Sequence, residues 1–305
     1  MSTQTFPISR REALSRWANR HRKWILSGPA LVFIVLLLAI PVVYTAYLSL
    51  TDAESSLRAD FDIVGFENYV EVLTDTERFW PAVLRTVVFT VGVVAVEMVA
   101  GIAIAVLLRR EFRGQSIVRT IIITPLVATP VAIAMLWRLI FEPTIGFANQ
   151  LLAFFGLPPA GWLSDPAAAL PTLMFIDIWQ WTPMVVLIVL AGLTTVPEEP
   201  EEAALVDGTN SFQRFWYVTL PLLRPTILAA LMLRSIEAFK TFDILYATKG
   251  AGGGSAHEAE TINIYAYGTN FVDNRYGLAS AALIIFFVMV LILVVIQLRL
   301  RGRNK

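Results

Sequence analysis

Apolar positions along this chain gather into six long runs separated by short polar stretches. The runs extend approximately from Trp24 to Leu50, Thr86 to Leu108, Ile117 to Phe141, Ala169 to Leu193, Thr226 to Tyr246 and Ala279 to Leu300. A bilayer core about 30 Å thick is crossed by roughly 20 residues of helix, so each run predicts one membrane-spanning helix. The first run follows a basic segment, as the apolar part of a signal peptide does, but it is about twice as long as such a region, and it is read as a retained helix. Its Pro29 and Pro41 are expected to kink it. No large soluble domain fits between the runs, and the expectation is an all-α integral membrane protein of six transmembrane helices.

Composition strengthens that reading. Of 305 residues, 56% are apolar and 16% charged, against roughly 45–50% apolar in soluble domains. There is no cysteine, which excludes disulfides, thiolate metal sites and cysteine nucleophiles, and the formal net charge of zero discriminates nothing.

The distribution of charge is more telling. Arg10, Arg11, Arg16, Arg20, Arg22 and Lys23 precede the first run, against the single acid Glu12, and place the N-terminus in the cytoplasm. The next loop is acidic, with Asp52, Glu54, Asp60, Asp62, Glu67, Glu71, Asp75 and Glu77 against Arg58 and Arg78. Arg109, Arg110, Arg113 and Arg119 then follow the second run, and Arg299, Arg301, Arg303 and Lys305 the last. Both termini are therefore expected inside. The resulting layout is a cytoplasmic N-terminus over 1–23, a transmembrane domain over 24–300 with a cytoplasmic loop at 194–225, and a cytoplasmic tail at 301–305. That loop is acidic, through Glu198, Glu199, Glu201, Glu202 and Asp207, but acids influence topology little.

The same loop reads Glu202-Ala203-Ala204-Leu205-Val206-Asp207-Gly208-Thr209, and later Val218-Thr219-Leu220-Pro221. The pattern predicts a short helix, a glycine turn and a second short helix, with Gly208 supplying a backbone conformation that side chains disfavour. It resembles the EAA loop of binding-protein-dependent ABC importer permeases: Glu-Ala-Ala, three residues, Gly, nine residues, an aliphatic residue, one residue, then Leu-Pro. Val218 stands where isoleucine is usual and Thr209 where alanine is usual. The resemblance covers nearly the whole chain and is greatest for the carbohydrate branch, the relatives of the maltose-transporter permease. The extra N-terminal helices and large external insertion of that permease are lacking.

The resemblance implies the type I importer permease fold and assigns the loop to coupling, with Glu202, Ala203, Ala204, Asp207, Gly208, Leu220 and Pro221 against a cytoplasmic ATPase dimer. No G-x-x-x-x-G-K-[ST] segment occurs in the chain, so ATP and Mg are expected on that separate ATPase and no cofactor on this chain. It further implies a second, homologous permease forming the other half of the pathway, an external solute-binding protein, and a sugar or polyol substrate in a bacterial inner membrane. No feature points to nucleic acid.

Polar residues at membrane depth are costly and mark functional or paired positions. Asp177, Gln180 and Trp181 share one face of the fourth helix, where carboxylate and amide suit hydroxyls and an indole covers a sugar ring. The resemblance adds that Asp177, Trp181 and Met184 fall on sugar-contacting positions of the maltose permease, as does Glu237, with Leu233 or Arg234 as a further contact. Arg234, Glu237 and Lys240 also have the spacing of a structural ladder of alternating charges. Glu97 in the second helix is open to three readings, a proton site, a pathway residue or a helix–helix bond, the last being favoured. The segment Lys249-Gly250-Ala251-Gly252-Gly253-Gly254-Ser255 resembles the family's external glycine-rich loop, which would meet the binding protein; a flexible linker is the plainer reading.

Two other functions were open. A proton-coupled secondary transporter would use Glu97, Asp177 or Glu237, but leaves the Glu-Ala-Ala loop without purpose. An intramembrane enzyme would need a nucleophile with a base or a metal cluster, and the only histidines, His21 and His257, lie outside the apolar runs.

Overall fold

The computed structural model describes residues 10–54, 61–110 and 112–302. Arg58, Asp60, Arg303 and Lys305 of the charge pattern lie outside them, and for residues 10–22 only the backbone course is described. All regular structure among the described residues is helical, with two isolated β-bridges, Thr51 to Ile63 and Glu54 to Arg275.

Helix α1 spans Arg10–Leu48 and runs through Pro29 and Pro41. Its side chains from Leu31 to Tyr44 are all exposed, as befits a helix that is apolar all round and immersed in lipid. A short α2 (Glu67–Thr74) leads to α3 (Phe79–Arg109). Next come α4 (Gln115–Val127), α5 (Pro130–Ile140), α6 (Phe147–Phe154) and α7 (Pro166–Leu193). The predicted loop helices are α8 (Glu199–Val206) and α9 (Ser211–Arg214), the latter running through a π-helical turn, Phe215–Thr219, into α10 (Leu220–Phe239). After α11 (Asp243–Lys249) and α12 (Ile262–Phe271), α13 (Tyr276–Gly302) closes the chain.

Among the described residues, five helical segments are long and apolar enough to cross a membrane. The third predicted span departs from expectation. Instead of one helix from Ile117 to Phe141, the chain bends by 100° between α4 and α5. The cause is local: Pro130 has no N–H to continue the helix and drives Thr129 out of the helical region, to φ −67°, ψ 144°. Thr129 then caps α5 by accepting from the N–H of Ala132. The fifth predicted span is also revised: the helical rod begins at Ser211, and α10 ends at Phe239 before α11 resumes at Asp243.

The core lies mainly between α3 and α7, with α10 across both. Glycines permit the approach. A Cβ on Gly101 would stand 2.6 Å from Val185 Cγ1, and one on Gly192 2.5 Å from Thr226 Cγ2. Small residues at such crossings are how helices pack closely where lipid removes the usual hydrophobic drive.

Candidate functional site: a buried charge cluster beside a cavity

Where α3, α7 and α10 meet, Arg234 is clamped between two acids. Its Nε donates to Glu97 Oε2 at 2.5 Å and its Nη2 to Glu97 Oε1 at 3.0 Å, and Nη2 also donates to Asp177 Oδ2. All three side chains are at most 1% exposed. The guanidinium also lies 5.4 Å from the Trp181 ring. A planar fork of donors suits this double duty, and burying opposite charges together relieves much of the cost of burying either. Asp177 Oδ1 is left buried with no hydrogen-bond partner among the described residues.

A cavity of about 110 Å³ adjoins the cluster, lined by Asp177 and Trp181 of α7, Arg234 and Glu237 of α10, and the break between α10 and α11 at Lys240, Thr241 and Phe242. Asp243, Ile244 and Pro130 complete it. Two interruptions of helix therefore border one polar space, the setting in which irregular backbone is tolerated at membrane depth. The breaks are stabilised by side-chain amides: Asn263 Nδ2 donates to the carbonyl of Lys240 at 2.9 Å, and Gln180 Nε2 to that of Ala128 at 3.3 Å.

The sequence-selected pathway residues thus have different surroundings. Asp177, Trp181, Arg234 and Glu237 share the cavity. Gln180 is buried against the α4–α5 bend, and Met184 is half-buried one turn farther along α7, outside the cavity lining. The expected ladder of Arg234, Glu237 and Lys240 is not formed: Arg234 pairs across to Glu97 and Asp177, while Glu237 and Lys240, both about half exposed, pair at 3.2 Å. For Glu97 the geometry is a helix–helix ion pair. Helical spacing could not reveal Pro130, Phe242 or Asp243 as lining residues, although the Thr129-Pro130 dipeptide carries the signal of a helix start.

The segment from α8 to the start of α10 has the predicted form of a short helix, a glycine turn and a second short helix. Asp207 ends α8, and Gly208 follows with φ +80°. Its N–H donates to Leu205 O at 3.0 Å and that of Thr209 to Ala204 O at 3.1 Å, a Schellman closure. Asn210 and Gln213 then form a reciprocal capping box on α9. Glu202, Ala203, Asp207 and Gly208 are exposed, as is Pro221; Ala204 is buried and Leu220 half-buried. Leu205 and Val206 leave an apolar tip bare. Glu201 faces inward instead, accepting at Oε1 from Arg109 Nη1 at 2.7 Å and Thr219 Oγ1 at 2.8 Å. Nothing in the sequence motif distinguishes Glu201 from its exposed neighbour.

The glycine-rich segment is folded rather than slack. Gly250, Gly253 and Gly254 have positive φ, and Lys249 Nζ donates to Glu258 Oε1 at 2.5 Å and to the Leu163 carbonyl.

Residues 97–304 match the family described as binding-protein-dependent transport system inner membrane component. The trehalose/maltose transport system permease protein MalF of Thermococcus litoralis is 34% identical over 266 residues, 87% of this chain and 88% of that protein. The sulfoquinovosyl glycerol transport system permease protein SmoG of Agrobacterium fabrum is 33% identical over 293 residues, 94% of this chain and 93% of that one. The chain shares its fold with a chain of a bacterial ABC transporter that imports the acidic polysaccharide alginate: TM-score 0.82 at 22% identity, covering 95% of this chain and 99% of that one. A bacterial alginate ABC transporter in complex with alginate pentasaccharide-bound periplasmic protein gives 0.75, again at 22% identity, covering 92% and 95%. A multi-pass membrane protein with this match over most of its length belongs to the binding-protein-dependent transport system inner membrane components.

Proposed function

We propose that this chain forms one half of the translocation pathway of an ATP-driven importer, and that its substrate is a sugar, oligosaccharide or polyol handed over by an external binding protein. The observation that carries the substrate class is the cavity beside the buried charges, where Trp181 offers an aromatic face and Asp177 and Glu237 offer hydroxyl acceptors. Trehalose, maltose and sulfoquinovosyl glycerol in the names of its relatives point the same way. The cavity is one wall of the path, and a second permease supplies the other.

In this reading the exposed tip of α8 enters an ATPase subunit that holds ATP and Mg, and the glycine-rich segment after α11 meets the binding protein. Both termini lie in the cytoplasm, and the membrane is the bacterial inner membrane. Family membership supports this reading over the proton-coupled alternative. The test is uptake into vesicles holding the complete transporter: transport should continue when an ionophore collapses the proton gradient at constant ATP, and cease without ATP. Loss on ionophore alone would overturn the ATP-driven reading.

A further inference from the structure

Two acids and one base make up the buried cluster, which leaves it one charge out of balance. Glu97, Asp177 and Arg234 are each at most 1% exposed. No further cation joins them among the described residues. Lys240 pairs with Glu237, both about half exposed, and Asp243 at the cavity is exposed and acidic. On the neighbouring helices, Arg119 donates to the Leu108 carbonyl, Arg138 lines a different cavity and Lys249 is held by Glu258. Arg85 and Arg224 lie more than two turns from the cluster along α3 and α10. Among the described residues no three acids or histidines converge to hold a metal ion.

The two acids meet each other as well as the base. Arg234 Nη2 donates to an oxygen of each, and the carboxyl groups of Asp177 and Glu97 are within hydrogen-bond reach. An ionised carboxylate only accepts hydrogen bonds, so this contact is repulsive unless one of the two carries a hydrogen. Like charges in one buried site do not both stay ionised, and an unpaired buried charge is costly. The bonding to Arg234 distinguishes the two acids. Glu97 accepts with both oxygens, Oε2 from Nε and Oε1 from Nη2, the two-pronged contact of a carboxylate. Asp177 accepts with Oδ2 alone, and its Oδ1 is buried with no donor among the described residues.

We propose that the cluster binds one proton from the medium, carried on Asp177 Oδ1 and shared with Glu97. The three residues then form a neutral unit that ties α3, α7 and α10 together beside the cavity. The proton stays in place and is not moved across the membrane, so the inference is independent of the substrate and of the energy source.

The test is infrared spectroscopy of the complete transporter in a detergent free of ester carbonyls. Asp177→Asn should assemble, because asparagine reproduces the protonated acid, with an oxygen for Arg234 and an N–H for Glu97. The difference between the unmutated protein and Asp177→Asn at neutral pH should show one protonated-carboxyl band. That band should shift when aspartate carboxyls carry heavy carbon and stay put when glutamate carboxyls do. Glu97→Gln should lose the same band, since Arg234 then balances an ionised Asp177 unaided. No such band in the difference, or one that moves with labelled glutamate, overturns the proposal, as does a band that persists in Glu97→Gln. Should Asp177→Asn fail to assemble, the same comparison with Glu97→Gln decides.

Discussion

Glu201 Oε1 of α8 lies 2.7 Å from Arg109 Nη1 in the last turn of α3, and the same oxygen takes the hydroxyl of Thr219 at the foot of α10. Helices α3 and α10 also carry Glu97 and Arg234. The helix proposed to meet the ATPase is therefore hydrogen-bonded to both helices that hold the buried ion pair. Helix α8 is thus tied by hydrogen bonds, besides the covalent chain, to the end of α3 and the start of α10, the helix whose Arg234 and Glu237 line the cavity.

Replacing Glu201 by Gln should weaken that connection while leaving the exposed face of α8 intact. The expected outcome is continued ATP hydrolysis with reduced transport, and a double-mutant cycle with Arg109→Ala should give a coupling of about 0.2–1 kcal/mol, as for partly exposed pairs. Burial opposes the charge on Glu201, but the bonds from Arg109 and Thr219 outweigh it and hold the carboxyl below its ordinary range. A lowered folded-state value contributes stability above the unfolded value and loses it as pH falls through the folded one. The clasp should thus be complete at neutral pH and fail only in acid, and Glu201→Gln should remove that part of the acid dependence of thermal stability.

At the other side of α8, Gly208 is fixed at φ +80° with open space around it, so backbone conformation rather than crowding selects glycine there. Gly208→Val should cost about 1–2 kcal/mol locally by forcing a branched residue into the left-handed region. Leu205→Asp with Val206→Asp should leave the turn intact but place charge on the bare tip. Both variants should reach the membrane in normal amounts and copurify with less ATPase, Leu205→Asp with Val206→Asp the more severely. Undiminished copurification of both would remove this tip from the contact.

Apolar runs were enough to find the helices long and apolar enough to cross a membrane, because length and hydropathy alone set that property. They were blind to direction: the α4–α5 bend lies inside an uninterrupted apolar run and is visible only through the capping chemistry of Thr129-Pro130. The same limit applies to Gln180, which looks like a substrate group on a helical wheel but satisfies the carbonyl that the bend sets free at Ala128. Spacing along α10 suggested that Arg234 would pair with Glu237, whereas its partners come from other helices, 137 and 57 residues earlier in the chain. The Schellman turn at Gly208, by contrast, is local and was legible residue by residue.

Arg234 holds two buried carboxylates, so Arg234→Ala should be far more damaging than the loss of a surface charge. Breaking a buried pair costs about 3–5 kcal/mol, since the remaining charge has no partner. Arg234→Lys should recover only part, as an ammonium cannot reproduce the two-pronged contact with Glu97. The neutral combination of Arg234→Met, Glu97→Gln and Asp177→Asn should recover most of the stability without recovering transport. Melting of the purified subunits in detergent and vesicle uptake together distinguish these outcomes; a combination no more stable than Arg234→Ala would show that the charges are not the reason for the loss.

The cavity itself is best probed away from the ion pair, because Asp177→Ala would change the charge balance around Arg234 as well as any substrate contact. Glu237 lines the cavity without that complication, being half exposed and, among the described residues, paired to Lys240, whereas Trp181 also meets the guanidinium of Arg234, which Trp181→Phe preserves and Trp181→Ala does not. Loss of a hydrogen bond to a sugar hydroxyl in a site of this kind costs about 1–3 kcal/mol, which is roughly five- to a hundredfold. Glu237→Gln retains an acceptor and should transport nearly as well as the unmutated protein, while Glu237→Ala should slow transport by that factor. Trp181→Phe keeps an aromatic face and should be tolerated, and Trp181→Ala should not. Measured in vesicles with the binding protein saturating, these changes should lower the transport rate and leave capture of sugar by the binding protein unaffected. Equal transport by Glu237→Ala, Trp181→Ala and the unmutated transporter would remove the cavity from the substrate path.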